Sequence, residues 1–426
     1  MSAVTDIRKK TRAETVQKIV TPLGIEAWLV EDYAVPLVAL DFAFKGGSTQ
    51  DPNGLTGASA MLAGLLDEGA GPYDSDAFHR ALDDKAIEIS FHASHDNFNG
   101  ELKTLARNTD AAFDLLRLCM IEPRLDTDAI ERVRSQMVAG LRHELKDPNA
   151  LAARAWRTAA FPNHPYGRPT DGDLETIPAI GRADLVKLRE RLFARSNLKI
   201  GAVGAIDAGK LATLIDKAFG NLPAAPSLVP IADITPQGTG ERKVISVDVP
   251  QSTFRFSLPG IARHDKDFIT GAVVNHVLGG GVFSARLFKE VREKRGLAYS
   301  VWTQLSASDH SALFAGGTST KNERAGESLS VIEEEIAKMA HDGPTQDELE
   351  KAQKYMIGSY ALRFDTSTKI AANLVALQTD GYDVDYLDRR NDLIAAVTLQ
   401  DTQRVARRLF EGGKLLVTVA GKPDGV

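Results

Sequence analysis

The sequence contains a single cysteine, Cys119, and this scarcity excludes two kinds of site. One cysteine cannot form an intrachain disulfide, and it cannot supply a zinc cluster that depends on several thiolates. Its neighbours Leu115, Leu116, Leu118 and Met120 are all apolar. We therefore expect Cys119 to be a small, buried hydrophobic side chain.

Runs of one charge sign and long apolar runs are also absent. The chain has 51 basic and 57 acidic residues, a net charge of -6, and no prominent cluster of Lys and Arg. This balance argues against a basic nucleic-acid footprint and against a polybasic membrane anchor. No apolar run approaches the roughly 18 residues that span a bilayer. The sequence therefore predicts neither nucleic acid nor a membrane as a partner.

The beginning of the chain lacks the features of a secretory signal. Met1 to Ala13 is charged and has no apolar core followed by a small-residue cleavage site. As written, the sequence predicts a cytoplasmic protein. A periplasmic protein whose signal peptide has been removed would look the same, so that alternative stays open.

What the chain does have is the composition of a globular protein, with 43% hydrophobic and 25% charged residues over 426 positions. Leu37 to Lys45 predicts a long strand, whereas the amphipathic segment from Thr127 to Leu145 predicts a helix. Leu55 to Leu66, rich in Ala and Gly, is also predicted to be helical. Helices and strands interleave along the chain, which indicates an α+β fold.

Matches between the two halves of the sequence indicate a duplicated unit. Thr56-Gly57-Ala58 recurs as Thr270-Gly271-Ala272, an offset of 214, and Arg191-Leu192-Phe193 recurs as Arg408-Leu409-Phe410, an offset of 217. Ordered matches with a slowly drifting offset are expected of a duplication with small insertions. We therefore predict two homologous domains, 1–225 and 243–426, each with helices packed on a mixed or antiparallel sheet. Segment 226–242 is predicted to be the linker because it carries Pro and Gly among polar residues.

One stretch of the second half carries candidate binding residues. Phe288 and Arg292 keep helical spacing, and Gly296 supplies the left-handed residue that commonly ends a helix. A predicted strand from Leu297 to Leu305 follows, so the guanidinium of Arg292 and the phenol of Tyr299 could point at one ligand. Spacing alone favours a plainer interpretation, in which Arg292 lies on a solvated helix face and Tyr299 is a half-buried strand residue.

The segment from Arg292 to Tyr299, with Gly47-Ser48, His164-Pro165-Tyr166-Gly167 and Asn197, resembles the pitrilysin or insulinase-type metallopeptidases. The layout is similar to that of processing-peptidase subunits, and the resemblance covers nearly the whole chain. It implies a processing-peptidase-like fold. Active members of this family carry an inverted zinc motif, His-x-x-Glu-His, together with a distal Glu ligand.

Carried over residue by residue, the zinc motif falls on Ala60, Ala63 and Gly64, and the distal glutamate falls near Gly140. Methyl groups and glycines cannot ligate zinc. No histidine occurs before His79, so a small shift of the alignment does not restore the motif. The resemblance therefore implies a degenerate site with no metal or other cofactor in this chain, and zinc in a partner subunit.

In this family, two such two-domain units enclose the active site; one supplies zinc and the other supplies an Arg and a Tyr that hold the substrate. Arg292 and Tyr299 match that pair, including its seven-residue step. The resemblance thus favours a substrate-binding role for the pair, whereas spacing alone favours the plainer interpretation. Gly279, Gly280 and Gly281 match a glycine-rich loop implicated in contacts between the halves or with substrate; a plain flexible turn is the alternative.

The resemblance implies a function for the whole chain as a zinc-free subunit of a heterodimeric metallopeptidase. It would be inactive alone and would bind an unfolded peptide substrate for a homologous zinc-bearing subunit. A homodimer is the alternative assembly where that partner is absent. A non-catalytic structural or chaperone-like member of the same fold is the alternative function.

Overall fold

A computed structural model describes residues 16–426, which form two compact units. The first unit takes 16–141, 169–230 and 360–388, and the second takes 142–168, 231–359 and 389–426. The domains predicted from the duplication, 1–225 and 243–426, have different limits from these units, because each half of the chain contributes one helical segment to the other unit. Met1 to Ala13, the segment without a predicted signal, lies outside the described residues.

Eleven strands and fourteen α-helices are found within residues 16–426. The strands are β1 Gln17–Val20, β2 Glu26–Glu31, β3 Leu37–Lys45, β4 Ile87–Ala93, β5 Asn97–Leu105, β6 Leu198–Gly204, β7 Arg242–Ser246, β8 Gln251–Pro259, β9 Ala298–Ala307, β10 Ala312–Lys321 and β11 Leu416–Gly421. The helices are α1 Ala58–Ala63, α2 Ser75–Asp83, α3 Thr109–Ile121, α4 Thr127–Glu144, α5 Pro148–Ala160, α6 Thr176–Ala179, α7 Arg182–Leu192, α8 Ala208–Phe219, α9 Phe268–Asn275, α10 Ala325–Asp342, α11 Gln346–Gly358, α12 Ser367–Thr379, α13 Tyr386–Ala395 and α14 Leu399–Phe410. Two π-helices, His276–Gly280 and Phe288–Glu293, lie between α9 and β9.

The first unit is built on a six-stranded sheet in the order β1-β2-β6-β3-β5-β4. Strands β2 and β6 are parallel and the other neighbours are antiparallel, so the sheet is mixed. On β3, alternate residues point to opposite faces. Phe42 and Phe44 enter the main core. The ring of Phe42 lies 5.1 Å from that of Phe219, and the ring of Phe44 lies 4.6 Å from that of Phe193. Residues of β3 that point the other way are covered by α12.

The second unit repeats this plan with a five-stranded sheet in the order β7-β11-β8-β10-β9. Only β7 and β11 are parallel among the neighbouring pairs. Phe254 and Phe256 of β8 are buried in the core, beneath α9, α10 and α14. Helix α5 covers the opposite face, where Trp156 donates a hydrogen bond of 2.8 Å from Nε1 to Ser257 Oγ. The predicted fold class, helices packed on mixed sheets in two related units, is confirmed.

Helix α1 is shorter than the predicted helix from Leu55 to Leu66. Gly57 immediately before it has φ of 93°, a conformation that breaks a right-handed helix. The carboxylate of Asp51 accepts hydrogen bonds from the backbone N–H groups of Gly57 and Ser59, which anchors the start of the helix. Cys119 on α3 is fully buried, as predicted. Among the helices of the described residues, none combines the length and the apolar character needed to cross a membrane.

A pair of acidic side chains lies on the face of the first sheet that α12 covers. Asp41 of β3 is paired in register with Glu101 of β5, and only 9% of Asp41 is exposed. Burial raises the pKa of the Asp41 carboxyl to about 7, and the charge of Glu101 adds to the shift. Because this pKa is higher in the folded protein than the unfolded value of about 3.9, protonated Asp41 favours folding below pH 4. That contribution is lost between about pH 4 and pH 7.

Replacing Asp41→Asn should therefore stabilise the protein in a pH-dependent way. At pH 8 the variant should gain free energy of unfolding on the order of 3 kcal/mol, because it no longer buries a charge. At pH 4 the difference should be small, since both side chains are neutral. Urea unfolding at pH 4, 6 and 8 measures the trend, with Glu88→Gln, an exposed carboxylate on the same sheet, as the control. An equal difference at all three pH values would contradict it.

Candidate functional site

Arg292 lies in the second unit on a helical segment that is wider than an α-helix. The hydrogen bond from Lys294 N to Lys289 O, 2.9 Å long, spans five residues rather than four. The sequence prediction of a helix here is confirmed, but its type is a π-helix, Phe288–Glu293. Gly296 closes the segment with φ of 58°, as predicted. The wide turn and this closing glycine set the direction in which the chain enters β9.

Tyr299 is projected from a bulge at the beginning of β9. The register with β10 shifts between Thr318 and Thr320, so that one residue of β10 lies opposite two of β9. Two threonine hydroxyls hold this irregular backbone: Thr318 Oγ1 donates to Ser300 O at 2.8 Å, and Thr320 Oγ1 donates to Leu297 O at 2.6 Å. The ring of Tyr299 is 81% exposed. It is thus an outward-facing residue, not the half-buried one that spacing alone favours.

The structure brings Arg292 and Tyr299 together. The guanidinium carbon of Arg292 lies 4.4 Å from the ring centre of Tyr299 and 4.8 Å from that of Phe288. Each distance is within the range of a cation–π interaction, which stabilises a contact by about 0.5–2 kcal/mol. Two aromatic contacts restrict the mobility of the guanidinium while leaving its N–H groups available.

The charges around Arg292 neutralise one another rather than Arg292. Glu290 accepts hydrogen bonds of 2.6 Å from both Lys294 and Arg295, and these two cations lower the pKa of its carboxyl. Within residues 16–426, neither the guanidinium of Arg292 nor the hydroxyl of Tyr299 has a hydrogen-bond or ion-pair partner. A fixed guanidinium and a phenol can therefore both donate to an incoming carbonyl or carboxylate oxygen.

Phe283 and Phe288 belong to the same surface and were not singled out in the sequence as binding residues. The ring of Phe283 is 70% exposed and lies 5.1 Å from that of Phe288, at an interplanar angle of 81°. Phe288 in turn lies beneath Arg292. The signal in the sequence was an aromatic residue two positions after the last of the three glycines, but its exposure depends on the fold.

The three glycines precede this surface in a packed helical turn rather than in a loop. Gly279 and Gly280 are in the π-helix His276–Gly280, and Gly281 follows it. A Cβ at Gly279 would lie 2.4 Å from Thr303 Oγ1, and one at Gly280 would lie 2.7 Å from Asn275 Nδ2. Close packing against β9 thus explains Gly279, and close packing against the end of α9 explains Gly280. The predicted loop is wrong because Gly279 and Gly280 are in a hydrogen-bonded helix.

The positions at which the resemblance places the zinc motif lie in the first unit, and their side chains offer no ligand atoms. Ala60 is partly exposed, Ala63 is buried, and Gly64 ends α1 where a Cβ would meet Val133 Cγ1 at 3.4 Å. Gly140 lies on α4 with open space around its Cα. Zinc needs nitrogen, sulfur or carboxylate ligands, so these four residues do not fit the metal.

No other metal-binding group is found among residues 16–426: no three His, Cys, Asp or Glu side chains are grouped so that they could hold an ion. Glu144, one helical turn beyond Gly140, instead receives a hydrogen bond of 3.4 Å from Arg154 Nε. His276 stacks on Tyr355 at 5.1 Å, and burial lowers the pKa of its imidazole. A base or ligand role for these side chains has no geometric support.

Comparisons with known proteins identify the family of the chain. The family described as insulinase, peptidase family M16, matches residues 29–173, and the M16 inactive domain matches residues 179–356. The non-peptidase homologue YmxG of Helicobacter pylori is 27% identical over 79% of this chain and 78% of its own. An uncharacterized zinc protease of Streptomyces coelicolor is 26% identical over 85% of this chain and 80% of its own.

A solved structure supports the same assignment over the whole fold. The peptidase M16 inactive domain from Pseudomonas fluorescens superposes with a TM-score of 0.89 at 26% identity, covering 96% of this chain and 98% of that one. The two family matches follow one another along the chain and together span most of the described residues. The chain therefore belongs to the insulinase family of peptidases, M16.

Proposed function

We propose that this chain is the zinc-free subunit of a heterodimeric peptidase and holds the substrate peptide with Arg292 and Tyr299. The observation that carries the proposal is the guanidinium held between two aromatic rings without an acceptor of its own. In this role Arg292 donates charge-assisted hydrogen bonds to a peptide carbonyl or carboxylate. Tyr299 donates its hydroxyl to the same peptide, close to the bond that the zinc-bearing partner cleaves.

The position of β9 supports binding of an extended peptide. β9 is ten residues long, contains no proline, and is an edge strand of the second sheet. An edge strand presents unpaired backbone N–H and C=O groups, with which an extended peptide can form an additional strand. Tyr299 lies at the beginning of this strand, so a peptide paired with β9 would pass the Arg292 guanidinium.

The lack of ligand atoms at Ala60, Ala63, Gly64 and Gly140 supports a function in which a second subunit supplies the zinc. A chain that cannot hold zinc has no use for substrate-holding residues unless another chain provides the metal. The matched inactive domain, residues 179–356, includes both Arg292 and Tyr299. Cleavage would then require the homologous zinc-bearing subunit, and this chain alone would be inactive.

We expect the purified chain to hold far less than one zinc ion per molecule. After removal of metals and dialysis against excess zinc, mass spectrometry of the native protein should show the metal-free mass, because the motif positions carry no ligands. A zinc-bearing homologue from the same cell, treated in parallel, is the positive control. One tightly held zinc per chain would disprove the zinc-free assignment.

Arg292→Ala and Tyr299→Phe should each lower turnover of the reconstituted heterodimer, by about 100-fold for the loss of one oxyanion-type donor. Arg292→Lys should recover little, because an ammonium lacks the planar fork of donors. Lys289→Ala, an exposed change on the same π-helix, is the matched control and should leave turnover unchanged. Cleavage of a fluorogenic unfolded peptide measures all four variants.

A structural or chaperone-like role is the second candidate function, and the name of the non-peptidase relative from Helicobacter pylori favours it. The two functions give opposite results with the Arg292→Ala, Tyr299→Phe double variant. A structural subunit would keep wild-type turnover in the double variant, while its removal would lower the melting temperature of the partner. Loss of turnover with an intact complex supports substrate binding instead.

A further inference from the structure

A cavity with carboxylates in its lining lies in the first unit, where α12 crosses the sheet. Four residues face one another across the strands in register: Gly201 of β6, Asp41 of β3, Glu101 of β5 and Ser90 of β4. Asp41, Glu101 and Ser90 line a cavity of about 390 Å³ together with residues of α12. That volume is at the small end of the range for ligand sites, which suits a single side chain or a small molecule.

Asp41 is the most unusual residue of this cavity. Only 9% of the residue is exposed, yet its carboxylate has no hydrogen-bond or ion-pair partner in the part of the chain that the structure describes. Glu101, directly opposite, is exposed and is likewise unpartnered within residues 16–426. A buried carboxylate is normally paired or hydrogen-bonded, because its desolvation is otherwise uncompensated.

The positive side chains lining the cavity are engaged elsewhere. Lys103 is 3.1 Å from Glu88, and Lys369 of α12 is 2.9 Å from Asp365. Glu88, the third carboxylate of the lining, is thus neutralised by Lys103. The negative charge of Asp41 and Glu101 remains uncompensated by the chain.

The duplicated sheet indicates that the acidic pair is not needed for folding. Strand β8 corresponds to β3, and the fifth residue of β8 is Arg255 where β3 has Asp41. The register partner of Arg255 on β10 is Gly317, at the place that Glu101 has on β5. The same strand pairing therefore forms without carboxylates, so sheet formation does not require Asp41 and Glu101.

We propose that this cavity binds an alkylguanidinium or alkylammonium group between the carboxylates of Asp41 and Glu101. Two carboxylates on neighbouring strands can accept the divergent N–H donors of such a cation. Ala39, Ala371 and Ala372 supply apolar walls for its methylene groups. The cation can belong to a free amine or to an Arg or Lys side chain of an extended peptide, since β4 beside the cavity is an edge strand.

Cation binding should be coupled to proton release. The pKa of Asp41 is about 7 in the unliganded protein, so below that pH the carboxyl is mostly protonated and does not attract a cation. The other charged groups facing the cavity are Glu101, Glu88, Lys103 and Lys369. Affinity should therefore rise from pH 5.5 to pH 8.5, with release of about half a proton per ligand at pH 7.

Isothermal titration of the full chain with agmatine tests the proposal. N-butylurea, an uncharged urea without a terminal amine, should not bind. Asp41→Asn and Glu101→Gln should each weaken agmatine at least tenfold at pH 8, and Asp41→Asn should remove the pH dependence. Glu26→Gln, an exposed carboxylate on β2 of the same sheet but outside the cavity, is the control and should change affinity less than threefold. Titration in two buffers of different ionisation enthalpy counts the protons released.

A second arm distinguishes the two sources of the cation. A capped Ala-Ala-Arg-Ala-Ala peptide is compared with the same peptide carrying citrulline in place of arginine. Binding of agmatine and of the arginine peptide with similar affinity supports a site for free amines. Binding of the arginine peptide at least tenfold more tightly than agmatine supports a peptide side chain that also pairs with β4.

Two results would overturn the proposal. The first is the absence of binding by both agmatine and the arginine peptide, or binding that Asp41→Asn and Glu101→Gln leave unchanged. The second is a carbon NMR titration in which the pKa of Asp41 is near 4 in the wild-type chain and rises in the Lys103→Gln or Lys369→Gln variant. That result would mean that a lysine of the chain itself fills the site. Neither result depends on the role of Arg292, so this test and the test of the zinc-free subunit can fail separately.

Discussion

The stacking of Arg292 between Phe288 and Tyr299 is the interaction on which the proposed peptide-binding surface depends. It requires a helical turn that ends before β9 and a strand that begins with a bulge. The π-helix widens the turn, and Gly296 reverses the backbone at φ of 58°. A residue with a Cβ would be strained there. The backbone irregularities of this region thus have one shared consequence, a guanidinium fixed at the surface with free donors.

The two units share one arrangement of strands, but the residues on one face of the sheet differ in charge. Strands β3 and β8 each bury two phenylalanines on the core side, which stabilises each sheet by about 1.5–3 kcal/mol per ring. The opposite side is covered by a single helix, α12 in one unit and α5 in the other. On that side β3 carries Asp41 and β8 carries Arg255. The core residues are interchangeable between the copies, whereas the residues under the single helix have diverged in charge.

The sequence predicted the regular elements well because their patterns are local. Leu37–Lys45 was predicted with the bounds that β3 has, and α4 ends one residue before the predicted Leu145. The adjacency of Arg292 and Tyr299 was also predictable, since a glycine-ended helix followed by a strand places them close together. The π-helical geometry could not be predicted, because α- and π-helices bury the same Phe288 and Val291.

Features that depend on distant parts of the chain could not be predicted from the sequence pattern. The exchange of 142–168 and 360–388 between the units depends on tertiary packing, which no local periodicity records. In the sequence, Asp41 is simply one polar residue within an apolar strand. Its burial depends on α12, which lies more than 300 positions away in the chain.

The small residues at the positions compared with the zinc motif and the Arg292–Tyr299 contact impose different requirements on the fold. Small residues are well tolerated on α1, where Ala63 is buried, and Ala is a good helix former. The small residues at these positions therefore require no stabilising change elsewhere in the fold. An unpaired arginine held by two aromatic rings is different, because immobilising a long side chain costs about 1.5–2 kcal/mol of conformational entropy. The aromatic contacts offset roughly that amount, which leaves little net stabilisation. A feature that contributes so little to folding is better explained by binding than by stability.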